Sequence, residues 1–164
     1  MSEKNTQFQS IENQLQEQGF TIIDQDFERP WGGFFVIDED QSKQFVERYF
    51  SEKEMDEINI SGRLSPKILL VEPGKRLSWQ YHHRRSELWK VVEGPVGIIR
   101  SLTDQQKEVK PYKAGDVVTL QQGERHRLVG LEDWGIVAEI WQHIYADHPS
   151  NEKDIVRIAD DFGR

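Results

Sequence analysis

Apolar residues recur along this chain in two rhythms. Near the start, Phe8, Ile11 and Leu15 return every three to four positions among polar neighbours, which predicts a short helix. A short apolar run, Phe20 to Ile23, and a second, Phe34-Phe35-Val36-Ile37, flank Arg29-Pro30-Trp31-Gly32-Gly33, and this punctuation predicts strand, turn, strand. Between Asp40 and Ser51, Phe45, Val46, Tyr49 and Phe50 sit among charges in a pattern that fits a helix behind an Asp or Ser cap. Residues 52–64 are charged and contain Gly62, so a loop over one end of the domain is expected.

From Lys67 onward the rhythm changes. Lys67 to Val71, Leu77 to His82, Leu88 to Val92, Val96 to Ser101, Glu108 to Tyr112, Asp116 to Leu120, His126 to Val129 and Trp134 to His143 are short runs parted by Gly, Pro and charged turns. Spacing of that kind predicts an all-β barrel or sandwich. The tail beyond Asn151 is charged, with Ile155, Val156, Ile158 and Phe162 available to pack. The whole reads as one domain, residues 28–164, carrying an N-terminal helix-and-strand extension, residues 1–27. A chain of 164 residues buries about two thirds of its unfolded surface without further support.

Charge narrows the partners. A net charge of -8 argues against nucleic acid and membrane surfaces, both polyanionic. There is no cysteine, so no disulfide framework is implied. The first residues show no apolar run of the signal-peptide kind, no stretch approaches the roughly 20 apolar residues that span a bilayer, and a cytoplasmic protein is expected. Against the acidic background, Arg63, Lys67, Lys75, Arg76, Arg84, Arg85 and Lys90 face only Glu72 and Glu87 between residues 63 and 90. Such an island suits a small anionic ligand such as a phosphorylated metabolite.

The island contains metal-ligand chemistry. Gln80 and His82 are two apart, so on a strand both point to one face, and Glu87 returns to that face on the next strand. His126, after the glycine-bounded run Asp116 to Leu120, adds a second imidazole from across the barrel. One Gln, two His and one Glu suit a borderline divalent ion, zinc first, with cobalt, nickel, manganese or iron as alternatives.

Gly74, Gln80, His82, Glu87, Gly94 and then Gly115, Gly123, His126 resemble the two cupin motifs, with Gln80 in place of the first His, Gln121 of the Pro and Gly130 of the Asn. Arg29-Pro30-Trp31-Gly32, Pro73 to Ser78, Gln80, His82, His83, Arg85, Glu87, Trp89, Asp154 to Arg157 and Asp160 to Arg164 are similar to the C-terminal cupin of type II mannose-6-phosphate isomerases over about residues 28–164. The resemblance implies a single cupin jelly roll, the double-stranded β-helix, with Gln80, His82, Glu87 and His126 holding zinc. It implies a metal-dependent aldose–ketose isomerase of a phosphorylated sugar, working through an enediolate, in a barrel that pairs as a homodimer through edge strands or the helix at Ile11 and Leu15.

In that chemistry Lys67 or Arg85 adds electrostatic stabilisation and Glu139 is a candidate base. His83 is a second candidate base, although strand parity points it outward. Arg76, by parity with Gln80, together with Arg29 and Arg157 at the rim, would bind the phosphorylated substrate, and Trp89 would floor the sugar. For Trp31, Trp79, Trp89 and Trp141 plain hydrophobic packing is the simpler expectation. Leu88 and Arg84 stand where the family usually has His, and the 40–62 insert and the Tyr145 to Ser150 segment also depart from it; each is expected in or beside the pocket. Alternatives are a non-catalytic sugar-phosphate-binding cupin with a structural metal, a metal-independent nucleotide-sugar epimerase, and an iron oxygenase.

Overall fold

The structure is a computed structural model that describes residues 2–56, 58 and 62–163. The chain opens with α1 (Glu3–Glu17), whose Ser2 cap accepts from the Asn5 N–H. It ends where Gly19 takes a φ of 85°, while the Phe20 N–H reaches the Leu15 carbonyl and the Gly19 N–H reaches Gln16, the hydrogen-bond pattern of a Schellman close. Strands β1 (Ile22–Arg29) and β2 (Gly32–Ile37) follow, then a 3₁₀ turn, α2 (Ser42–Tyr49) and the short α3 (Glu52–Met55). Nine strands come next: β3 (Leu64–Val71), β4 (Trp79–Tyr81), β5 (Arg85–Glu93), β6 (Val96–Ser101), β7 (Lys110–Tyr112), β8 (Val117–Leu120), β9 (Arg125–Gly130), β10 (Gly135–His143) and β11 (Val156–Ala159).

Among the described residues these strands make two antiparallel sheets, one ordered β1-β2-β3-β10-β5-β8 and the other β11-β4-β9-β6-β7. Their inner faces close on Phe34, Leu69, Val71, Trp89, Val91, Val118, Leu120, Leu128 and Val137. The larger sheet is buried on its other face as well. Ile68, Leu70, Leu88, Ile136, Ala138 and Ile140 pack there against Phe8, Ile11 and Leu15 of α1 and Phe45 and Val46 of α2. Double burial explains why β3 and β10 read as continuous apolar runs rather than alternating ones. The fold is the expected all-β cupin barrel with added helices.

Several boundaries move. The first strand runs to Arg29 through Asp24, Gln25, Asp26 and Glu28, because as an edge strand it presents polar residues to solvent and shows no clean alternation. The boundary expected at residue 28 therefore falls inside β1. Residues 52–55, expected in a loop, form a helix because Ser51 and Glu54 cap each other reciprocally. Leu77 to His82 shortens to three paired residues, and Ile158 of the tail faces outward. Among the described residues no helix is long and apolar enough to cross a membrane.

The extension is thus part of the core. Leu15→Ala is expected to cost about 2–5 kcal/mol of stability in one cooperative urea transition. An unchanged midpoint would mean that α1 is a detachable arm.

Candidate metal centre

A short turn, a loop and three strands build the site. His82 lies just past the end of β4, where the chain turns into β5, and this turn is pinned from a distance. The carboxylate of Asp154 accepts from the backbone N–H groups of His83 and Arg84, each at 2.9 Å, and from Ser150 Oγ at 2.6 Å. The Asp154 carbonyl accepts from His82 Nδ1 at 2.6 Å, and the Glu124 carbonyl accepts from His126 Nδ1 at 3.0 Å. With both Nδ1 protons committed to carbonyls, both Nε2 lone pairs turn toward Glu87, which reaches in from β5. His82 Nε2 is 3.5 Å from Glu87 Oε2, and His126 Nε2 is 3.3 Å from Glu87 Oε1. The three ligand atoms lie within 4.8 Å of one another, all on buried residues.

The electrostatics fit a cation. Glu87 is 1% exposed. Burial pushes its carboxyl up, but the Arg85 guanidinium together with His82 and His126 outweighs this and holds it well below the usual range. Burial also lowers His82 to about 3, against the pull of Glu87, so the imidazole is neutral and free to ligate. Despite their proximity, Glu87 Oε1 and His126 Nε2 make no hydrogen bond of acceptable geometry, which leaves two buried polar atoms aimed at one point. Two imidazoles and a carboxylate are a divalent-ion donor set, and the residues present fit such an ion. Gln80 pairs with His126 across β4 and β9 and lines the same cleft, with its Oε1 held by Ser78 Oγ at 2.6 Å.

The rest of the cleft is organised by Trp141. Arg85 lies over its ring at 3.6 Å and Lys67 at 4.0 Å, and Lys67 is ion-paired with Glu152. Beside them, Glu139 is the register partner of both Lys67 and Trp89. Its two oxygens accept from the indole N–H groups of Trp89 and Trp141, each at 2.8 Å. Burial first and the Glu87 charge second raise its carboxyl to about 7, opposed by Lys67 and Arg85. Arg29 and Arg157 line the outer part of the cleft.

A family model described as mannose-6-phosphate isomerase C-terminal matches residues 38–160, most of the chain and all of this centre. The chain belongs to the mannose-6-phosphate isomerase C-terminal family. Among its relatives, xanthan biosynthesis protein XanB of Xanthomonas campestris pv. campestris is 32% identical over 114 residues, covering 66% of this chain and 22% of that protein. A mannose-1-phosphate guanylyltransferase of Salmonella montevideo is 30% identical over 136 residues, covering 83% and 23%. The chain spans less than a quarter of the length of either relative. Oxalate decarboxylase from Bacillus subtilis shares the fold, with a TM-score of 0.56 at 13% identity over 82% of this chain and 30% of that one.

Within this family frame the expected residues separate. Lys67, Gln80, Arg85, Glu87, Trp89 and Glu139 share the cleft, with His82 and His126 closing on Glu87. Arg76 does not join them: it is ion-paired with Asp161 outside the cleft. The parity argument fails there because Arg76 contributes only an isolated bridge to Val129, and the paired strand begins at Trp79. The basic island also divides, with Arg63 on Glu39 and Lys90 on Glu54. His83 is exposed as expected. Trp79 packs in the core, whereas Trp89 and Trp141 go beyond packing by binding Glu139, and Trp141 also carries the cations.

The family departures separate as well. Leu88 points to the helix-covered face, away from the cleft, and the 40–62 insert supplies α2 and α3 on that side, so neither Leu88 nor any described residue of the insert lines the pocket. Gly130 stands where a Cβ would lie 2.0 Å from the Glu72 carbonyl oxygen, which excludes the motif's Asn. The Tyr145 to Ser150 segment does reach the cleft, through Ser150 on Arg85. Ser150, Glu152 and Asp154 are the functional residues that sequence reasoning missed. Asp154 was visible only as part of a resemblance, without a role.

Because Asp154 fixes the turn that carries His82, Asp154→Ala is expected to weaken zinc binding about 10–100-fold. Competition against a chelating dye measures this, and unchanged affinity would show that the loop does not orient His82.

Proposed function

We propose that this protein is an aldose–ketose isomerase of a phosphorylated sugar, mannose 6-phosphate and fructose 6-phosphate or a related hexose or heptose phosphate. The observation that supports this reading best is the convergence of His82, Glu87 and His126 with the buried carboxyl of Glu139 and the cations Lys67 and Arg85 in one cleft. A divalent ion held by His82, Glu87 and His126, with Gln80 as a fourth donor, supplies Lewis-acid polarisation of the sugar oxygens.

The chain's own residues do the rest. Glu139 takes the proton from the carbon beside the carbonyl, and the C–H electrons form the enediolate. The proton then returns to the former carbonyl carbon, while the neighbouring hydroxyl passes its proton to the former carbonyl oxygen and becomes the new carbonyl. Lys67 and Arg85 stabilise the enediolate charge, in a pocket whose indole walls strengthen their field. Trp89 and Trp141 hold Glu139 in place through their N–H groups. Arg29 and Arg157 receive the phosphate at the rim, where their guanidinium groups can offer charge-assisted hydrogen bonds.

Sugar-phosphate binding without turnover is the second reading. It is favoured by the Arg85 guanidinium lying on His82 and Glu87, and by a relative named for guanylyl transfer rather than isomerisation.

Proton NMR of zinc-loaded protein with aldose and ketose phosphates of five to seven carbons separates the two. Interconversion of one pair, lost on chelation and lowered about 10²–10⁴-fold in Glu139→Gln, is expected. Binding without conversion of any pair would establish the second reading. Because Glu139 must be ionised to accept the proton, kcat/KM is expected to rise with pH through about 7 and then level. A profile flat across that range would remove Glu139 as the base.

A further inference from the structure

The most heavily bonded side chain of the centre is not one of its ligands. Arg85 is almost fully buried and every edge of its guanidinium is engaged. Nε donates to Glu87 Oε2 at 2.8 Å, and Nη2 lies 3.2 Å from His82 Nε2. Nη1 donates to Ser150 Oγ at 2.9 Å and to the Asn151 carbonyl at 3.3 Å, while the plane stacks on Trp141. Since the His82 proton sits on Nδ1, the Nη2 contact uses the lone pair of Nε2.

We propose that Arg85 is a built-in competitor for the metal, its guanidinium and a divalent ion claiming the same two atoms, His82 Nε2 and Glu87 Oε2. The proposal rests on the metal-centre reading above. A zinc–nitrogen bond of about 2.0–2.1 Å runs along the same lone pair that Nη2 occupies, so the two contacts exclude each other. Like charge adds to the exclusion, because a divalent ion beside a buried guanidinium is repelled with little water between them.

Metal loading therefore requires the guanidinium to leave two of its partners. The Trp141 face, Ser150 and Asn151 are not metal ligands and remain to it. Turning on that stack carries Arg85 toward Lys67 and the open cleft, where an anionic substrate is its replacement partner. The ion thus converts Arg85 from a clamp on the ligands into a cation facing the substrate, and by linkage the two binding events favour each other.

Removing the competitor has a measurable consequence. Zinc affinity of the full-length chain, read by competition against a chelating dye, is expected to tighten about tenfold or more in Arg85→Gln. Arg85→Lys keeps the charge but loses the planar fork with which Nε and Nη2 hold Glu87 and His82. It is expected to fall between the two, and it tests the same point should the Gln variant fail to fold. Equal or weaker zinc binding in both variants, with wild type binding zinc, would overturn the competition and leave the metal centre standing. No zinc binding by wild type or either variant would overturn the centre and the competition with it.

Discussion

A carboxylate with no access to water sets the terms for everything around it. Glu87 sits on a central strand with both oxygens inside the barrel, where an isolated charge is unfavourable by several kcal/mol. It persists ionised only because positive charge is held against it. Arg85, two residues away on the same strand face, supplies that charge from within the chain, and two imidazoles turn their Nε2 atoms to the same place. A centre built on these terms is suited to a cation. Which cation occupies it is a matter of competition rather than of assembly.

The same constraint shapes the neighbouring half of the cleft. Glu139 is a second buried carboxyl, but its hydrogen bonds come from neutral indoles and its cations stand further off, so burial and Glu87 raise it instead of lowering it. Two carboxylates in one pocket are thereby driven apart, one held low and one raised to about 7, the usual arrangement for a ligand beside an acid–base group. Trp141 joins the halves, since its face carries Lys67 and Arg85 while its N–H holds Glu139.

The cluster of candidate ligands was legible in the sequence because chemistry restricts such groups to a few residue types and strand geometry restricts their spacing. Gln80, His82 and Glu87 on one hairpin and His126 after a glycine-bounded strand satisfy both restrictions. The barrel was legible from its regular short apolar runs, and α1 from Phe8, Ile11 and Leu15. What could not be read were contacts that depend on the path of the chain between elements. Asp154 reaches His82 from 72 residues away, and no local pattern announces it. Arg76 failed for the opposite reason: parity was extended past the point where the strand is paired. Leu88 looked like a pocket substitution only because its neighbours face the cleft, whereas alternation turns it to the helices.

Anomalous diffraction from a zinc-loaded crystal tests the centre most directly. A single strong peak about 2.0–2.2 Å from His82 Nε2, His126 Nε2 and a Glu87 oxygen, with the Arg85 guanidinium moved off both residues, is the predicted result. Zinc bound elsewhere, or a guanidinium still seated between His82 and Glu87 with no peak beside it, would contradict it.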